Sequence, residues 1–218
     1  MLPNLSNYES EEQQVEAIKG WWKENGLSIF LGAFLGLAIV FGWQGWVKFR
    51  DQRNEAAAAA FSQLLKTAEA KPVKPEAVSE QSAQLVKDYG STSFASLAQM
   101  VTARVLVEAG KLSEAKGILA EVVQQAPDPA LREVAVLRKA RVLLQENNAA
   151  EALQWLEQQP KAEGFNAERS VILGDAASLQ GDFAKARAAY EAALAGQVSN
   201  RALVQFKLDN LPLAKPGT

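Results

Sequence analysis

Leu27 to Val47 make up 21 consecutive residues without a charge. As a helix this run would extend about 31 Å, the thickness of a bilayer's hydrocarbon core. Eleven of its positions are Leu, Ile, Val or Phe, which together favour membrane insertion by about 3 to 6 kcal/mol. No polar stripe recurs at the helical period, so the run suits lipid on all sides rather than one face of a core. Trp21 and Trp22 precede it, and Trp43 and Trp46 close it. Indole rings favour those two interfacial levels.

A cleaved signal peptide would need a shorter apolar region, a basic start and small residues immediately after it. Here the preceding segment is acidic, with Glu9, Glu11, Glu12, Glu16 and Glu24 against Lys19 and Lys23. The small residues Ala56–Ala60 follow only after Lys48, Arg50 and Arg53. The expectation is an uncleaved single-pass anchor: residues 1–24 a short acidic tail, 25–47 a transmembrane helix. Basic residues flank the span on both sides, so the positive-inside rule gives no orientation. Within the span, Gly32 and Gly36 form a small-xxx-small pair, extended by Ala38 and Gly42. Such a strip admits another helix closely, which makes Gly32 and Gly36 transmembrane docking candidates.

Residues 48–218 carry 21 basic and 20 acidic side chains. This near-neutral balance is no footprint for nucleic acid. The chain has no cysteine and no histidine. Thiol nucleophiles, disulfides, zinc sites built on Cys or His, and an imidazole base are thereby excluded. No paired carboxylates or glycine-rich phosphate loop stand out. The expectation is a protein that is not an enzyme, with no catalytic residues, no cofactor and no metal.

Abundant alanine, and the lack of any Val/Ile/Thr alternation, make the remainder all-α. Three segments align without gaps, opening at Ala103, Ala140 and Gly174. Each opener is followed seven positions later by Gly110, Asn147 or Gly181, and twelve positions later by Ala115, Ala152 or Ala186. Gly and Asn tolerate the left-handed conformation that ends a helix. Each unit therefore reads as a helical hairpin, with small residues allowing close approach. Leu106 and Leu143 are expected to face Leu119, Leu156 and Tyr190 across the pairs.

This pattern resembles the tetratricopeptide repeat, with Pro127 in the position that ends a unit, although the family's early tryptophan is missing. The expected fold is a single N-terminal transmembrane helix followed by a tetratricopeptide-like helical-hairpin solenoid over residues 48–210. Its repeats lie near 95–129, 132–165 and 167–197, with 211–218 a flexible tail. Upstream, a helix continues from the span to about Ala70, and one over about Glu76–Asp88 pairs with it. Arg201–Asn210 is expected to cap the stack. The resemblance implies a concave face built by the first helix of each hairpin. It carries groove-lining roles to Leu97, Met100, Arg104 and Val107, then to Val134, Leu137, Arg141 and Leu144, and last to Glu168, Val171, Asp175 and Ser178. Leu97, Met100, Arg104, Leu137, Arg141 and Leu144 are the foremost partner-binding candidates.

The whole order, an acidic tail containing EEQQVEAIKGWWKENG, one glycine-rich span ending in Gly42-Trp43, then the repeats, resembles the YfgM family, the ancillary subunit of the bacterial Sec translocon. The resemblance implies an inner-membrane protein with a cytoplasmic amino terminus and periplasmic repeats. It also implies association with the SecYEG channel and with a membrane-anchored periplasmic chaperone of the prolyl-isomerase type, and contact with exported client proteins. The implied role is a non-catalytic adaptor assisting folding or trafficking of exported proteins. The alternative is a membrane-anchored scaffold for envelope-complex assembly that does not contact exported chains.

Overall fold

The computed structural model describes the backbone of residues 6–212 and the side chains of residues 14–212. Glu9, Glu11 and Glu12, part of the expected acidic tail, have side chains outside the described residues, as do residues 213–218 of the expected flexible tail. Among the described residues the chain forms nine α-helices and no strand. It divides into two compact units between Arg53 and Asn54. Helix α1 (Ser6–Glu69) contributes residues to both.

In the first unit, the apolar run is exposed along its length. Leu27, Phe34 and Leu35 expose 74%, 71% and 64% of their surface. A core helix of a water-soluble protein would bury such side chains, so this segment has the surface of a membrane-spanning helix. Aromatic pairs mark its ends. Trp22 meets Phe30 edge-on at 6.0 Å, and Trp43 and Trp46 lie 5.3 Å apart. The Arg50 guanidinium stands 5.1 Å over the Trp46 ring, a cation–π contact that suits the water–lipid boundary.

The second unit holds the end of α1 and eight shorter helices: α2 (Pro75–Tyr89), α3 (Ser93–Glu108), α4 (Leu112–Gln125), α5 (Pro129–Gln145), α6 (Ala149–Gln158), α7 (Asn166–Leu179), α8 (Phe183–Ala195) and α9 (Arg201–Asp209). The repeated sequence signal produces a repeated turn. Gly110, Asn147 and Gly181 have φ of 75°, 58° and 77°. At each, this residue's N–H donates to the carbonyl three residues back, and the next N–H donates to the carbonyl five residues back. That left-handed C-terminal motif satisfies carbonyls the helix end would orphan. Two of the three following helices, α6 and α8, start on side-chain caps, with Asn148 accepting from the Glu151 N–H and Asp182 from the Lys185 N–H. Such caps are worth about 1 kcal/mol each.

Packing joins each hairpin to the next helix. Ala103, Leu106, Ala115 and Leu119 of α3 and α4 share a core with Ala135 and Val142 of α5. Ala140, Leu143, Ala152 and Leu156 of α5 and α6 share one with Ile172 and Ala176 of α7. Tyr190 packs with Val171, Ala177 and Ala186, and α9 adds Val204 and Leu208. Upstream, Leu64 and Ala68 from the end of α1 pack with Val78, Leu85, Ala95 and Ala98. Each fully buried Leu or Ile in these cores contributes about 1.5–3 kcal/mol. Neighbour-to-neighbour burial of this kind is what makes a solenoid. One boundary differs from expectation: Leu211, read as the start of a tail, is 7% exposed and belongs to the last core. Its apolar side chain closes the end of the stack beside α9.

Candidate functional site

The first helices of successive hairpins, α3, α5 and α7, line two adjoining grooves. The first, of about 390 Å³, lies between α3 and α5, with Leu119 of α4 in its floor. Met100, Ala103, Val107 and Val142 supply its apolar surface, and Arg104, Arg138 and Arg141 its charge. The second, of about 410 Å³, lies between α5, α7 and α9. Arg138 and Arg141 line both.

The charges of the two grooves are handled differently. In the second, Arg141 pairs with Glu168 at 3.1 Å, and Lys207 reaches both oxygens of Asp175 at 2.7 and 2.8 Å. Tyr190 donates its hydroxyl to Asp175 at 2.7 Å. Burial and this carboxylate together raise the Tyr190 pKa far above its ordinary value, so the phenol stays protonated. Burial works against ionisation of Glu168, but the donors from Ser199 and the charge of Arg141 outweigh it and hold its pKa below the ordinary glutamate value. In the first groove, the one ion pair of Arg104 among the described residues is with Glu108, 4.0 Å away on its own helix. Among the described residues no carboxylate lies within ion-pair distance of Arg138. Desolvation pushes the Arg138 pKa down from its ordinary value, and the charges of Arg141 and Arg104 act the same way.

The candidates from sequence separate on this geometry. Met100 and Arg104 line the first groove, Leu137 the second, and Arg141 both, while Met100 and Leu137 are themselves buried. Of the other carried-over positions, Val107 lines the first groove, and Val134, Glu168, Val171 and Asp175 line the second. Leu97 is half-buried and lines neither groove. Leu144 lies in the core with Leu143 and Leu156, outside both grooves. Arg138 was missed. Its signal was available: positions 134, 138, 141 and 145 fall on one helical stripe, one step round from the stripe through 137 and 144. Gly32 and Gly36 of the span have nothing within 4 Å of where a side chain would begin, so that strip is open. Among the described residues no group of three or more carboxylates is placed to hold a metal ion.

Fold and grooves together define a tetratricopeptide-like helical solenoid preceded by one helix long and apolar enough to cross a membrane. The family model for the tetratricopeptide repeat-like domain matches residues 19–213. The chain is 30% identical over 202 residues to the ancillary SecYEG translocon subunit of Haemophilus influenzae, covering 92% of this chain and 97% of that protein. It is 32% identical over 203 residues to that of Aggregatibacter actinomycetemcomitans, with the same coverage, and 31% identical over 209 residues to that of Escherichia coli K12, covering 94% and 98%. The chain belongs to the family of ancillary SecYEG translocon subunits. Family and apolar helix together fit a single-pass inner-membrane protein. No solved structure matches the chain.

Proposed function

We propose that this protein is a non-catalytic adaptor of the Sec translocon. Its span holds it beside the channel, with the amino terminus in the cytoplasm and the solenoid in the periplasm. The grooved face of the solenoid engages a membrane-anchored chaperone of the prolyl-isomerase type, and through it, or directly, newly exported chains on their way to folding or assembly. The observation that carries this reading is likeness to named translocon subunits over more than nine-tenths of the chain. The exposed apolar helix supports the anchoring role, and the open Gly32–Gly36 strip supports docking against another membrane helix. Tethering a binder beside its partner gives an effective concentration of about millimolar, so a weak groove suffices.

The test is purification of the full chain from gently solubilised membranes with identification of what accompanies it. The adaptor reading expects channel subunits and a periplasmic isomerase-type chaperone in stoichiometric amounts. Recovery of envelope-assembly components without channel subunits would replace it with the scaffold reading.

A further inference from the structure

Where the apolar run of α1 ends, its side chains are sorted by chemistry around the helix. At about 100° per residue, Trp43, Trp46, Phe49, Arg50 and Arg53 fall within about 120° of arc. Asp51, Glu55 and Lys48 fall on the opposite side. Two arginines thus share a face with three exposed aromatic rings, and both nearby acids lie away from it. The other end of the span is not sorted in this way, since Lys19 and Lys23 share their side of the helix with Glu16.

The Arg50 guanidinium lies 5.1 Å over the Trp46 ring, and Trp43 stands 5.3 Å from Trp46 with the ring planes inclined by 36°. A guanidinium over an aromatic ring spends its flat face on that contact and keeps its in-plane N–H donors. Asp51, the one ion-pair partner of Arg50 among the described residues, is 3.6 Å away, too far for a hydrogen bond. The donors are therefore open to an acceptor from outside the chain. Arg50 sits three residues beyond Val47, about 4.5 Å along the helix axis. That is within the headgroup layer, roughly 5–7 Å deep on each side of the hydrocarbon core. The acceptor a bilayer presents at that level is the lipid phosphate, which the planar fork of arginine fits with two parallel hydrogen bonds.

We propose that this face of α1 binds the headgroup of an anionic phospholipid, Arg50 holding the phosphate while Trp43 and Trp46 flank the lipid at the acyl boundary. A zwitterionic headgroup fits less well, because its ammonium would meet Arg50 and Arg53 as a like charge. The site lies in whichever leaflet the carboxyl side of the span enters. It rests on α1 crossing a membrane, and neither on the direction of crossing nor on the adaptor reading.

The test uses the full chain with Trp21→Phe and Trp22→Phe, so that the membrane signal comes from Trp43 and Trp46, reconstituted in phosphatidylcholine vesicles. Phosphatidylglycerol or phosphatidylcholine with brominated upper acyl chains is titrated in, and fluorescence quenching gives their relative association. Phosphatidylglycerol should be preferred about fivefold, the equivalent of one favourable charge contact at an anionic membrane surface. Arg50→Gln should bring the two lipids close to parity, and Arg50→Lys should recover only part of the preference. Lys48→Gln, on the opposite side of the helix, should leave it intact. Equal quenching by the two lipids would overturn the proposal while leaving the span in place, whereas no quenching by either would remove the span as well. A loss in Lys48→Gln as large as in Arg50→Gln would reduce the effect to diffuse charge and overturn the site. Capture of protein instead of lipid by a photo-crosslinking residue at position 49 in living membranes would give the face to a partner helix, with the same consequence.

Discussion

Arg169 of α7 holds Glu133 of α5 through two parallel contacts, Nε to Oε1 at 2.6 Å and Nη2 to Oε2 at 3.0 Å, with their side chains 6% and 3% exposed. The same guanidinium donates to the carbonyls of Leu156 at 3.0 Å and Pro160 at 2.8 Å. One side chain thus ties two consecutive hairpins to the end of α6 and the loop that follows it. Its donors are matched by acceptors, which is what makes a buried charge tolerable.

Removing one partner leaves the other buried and unpaired. Glu133→Ala or Arg169→Ala should each cost about 3–5 kcal/mol in chemical denaturation. Replacing both with well-packed apolar residues should cost markedly less than the sum of the singles. Additive losses would mean that the two side chains act independently.

Gly174 explains the one glycine among the three small openers. A Cβ built there would fall 2.5 and 2.6 Å from the ring carbons Cε1 and Cδ1 of Tyr190. The ring is not free to swing aside, because it is buried and its hydroxyl is bonded to Asp175. Gly174→Ala should therefore destabilise the solenoid by about 1–3 kcal/mol, read as a lowered melting temperature. Alanine already occupies the equivalent positions 103 and 140, so an unchanged stability would show that α7 and α8 can separate freely.

Much of this architecture was legible because helix ends are local chemistry. Gly110, Asn147 and Gly181 recur at one offset from the small openers, and all three adopt positive φ. The core followed from the same register, since Leu106 meets Leu119 and Leu143 meets Leu156. Tyr190 instead belongs with α7 and α9. The charged residues were harder. Glu133 and Arg169 sit 36 positions apart, and charge alone suggests solvent. The clue was register: 133, 137, 140 and 144 follow the buried stripe of α5, as 169, 172 and 176 follow that of α7. Groove assignment failed at Leu144 for a related reason. A shift of one residue turns a helix by about 100°, enough to exchange a groove position for a core position.

Glu168 makes part of the fold sensitive to acid. Its folded-state pKa is lowered, because donors from Ser199 and the charge of Arg141 favour the carboxylate despite burial. A lowered carboxylate pKa adds stability above the unfolded-state value, and that stability is lost as pH falls through the folded-state value. The contact between α7 and the segment before α9 should loosen as pH drops below the ordinary glutamate range. Glu168→Gln should flatten the acid limb of the melting-temperature profile. A limb unchanged by the substitution would place the acid sensitivity elsewhere.

The exposed strip on the span makes a separate claim. A photo-crosslinking residue placed at position 32 or 36 in living membranes should capture a channel or chaperone subunit, whereas one at the exposed Phe34 or Phe41 should capture chiefly lipid. Glycine allows close helix approach, so Gly32→Leu with Gly36→Leu should reduce co-purification of the channel several-fold. Lipid capture from every position, with co-purification unaltered, would reduce the span to a tether.

The direction of the chain through the membrane decides the central claim, because flanking basic residues on both sides leave it open. Protease added to spheroplasts, with the outer membrane breached and the inner membrane intact, tests it directly. An adaptor on the exit side of the channel predicts digestion of the solenoid from outside, leaving a small protected fragment that contains Leu27–Val47. Protection of the solenoid until detergent dissolves the inner membrane would place it in the cytoplasm, and the exit-side role would fall with that result.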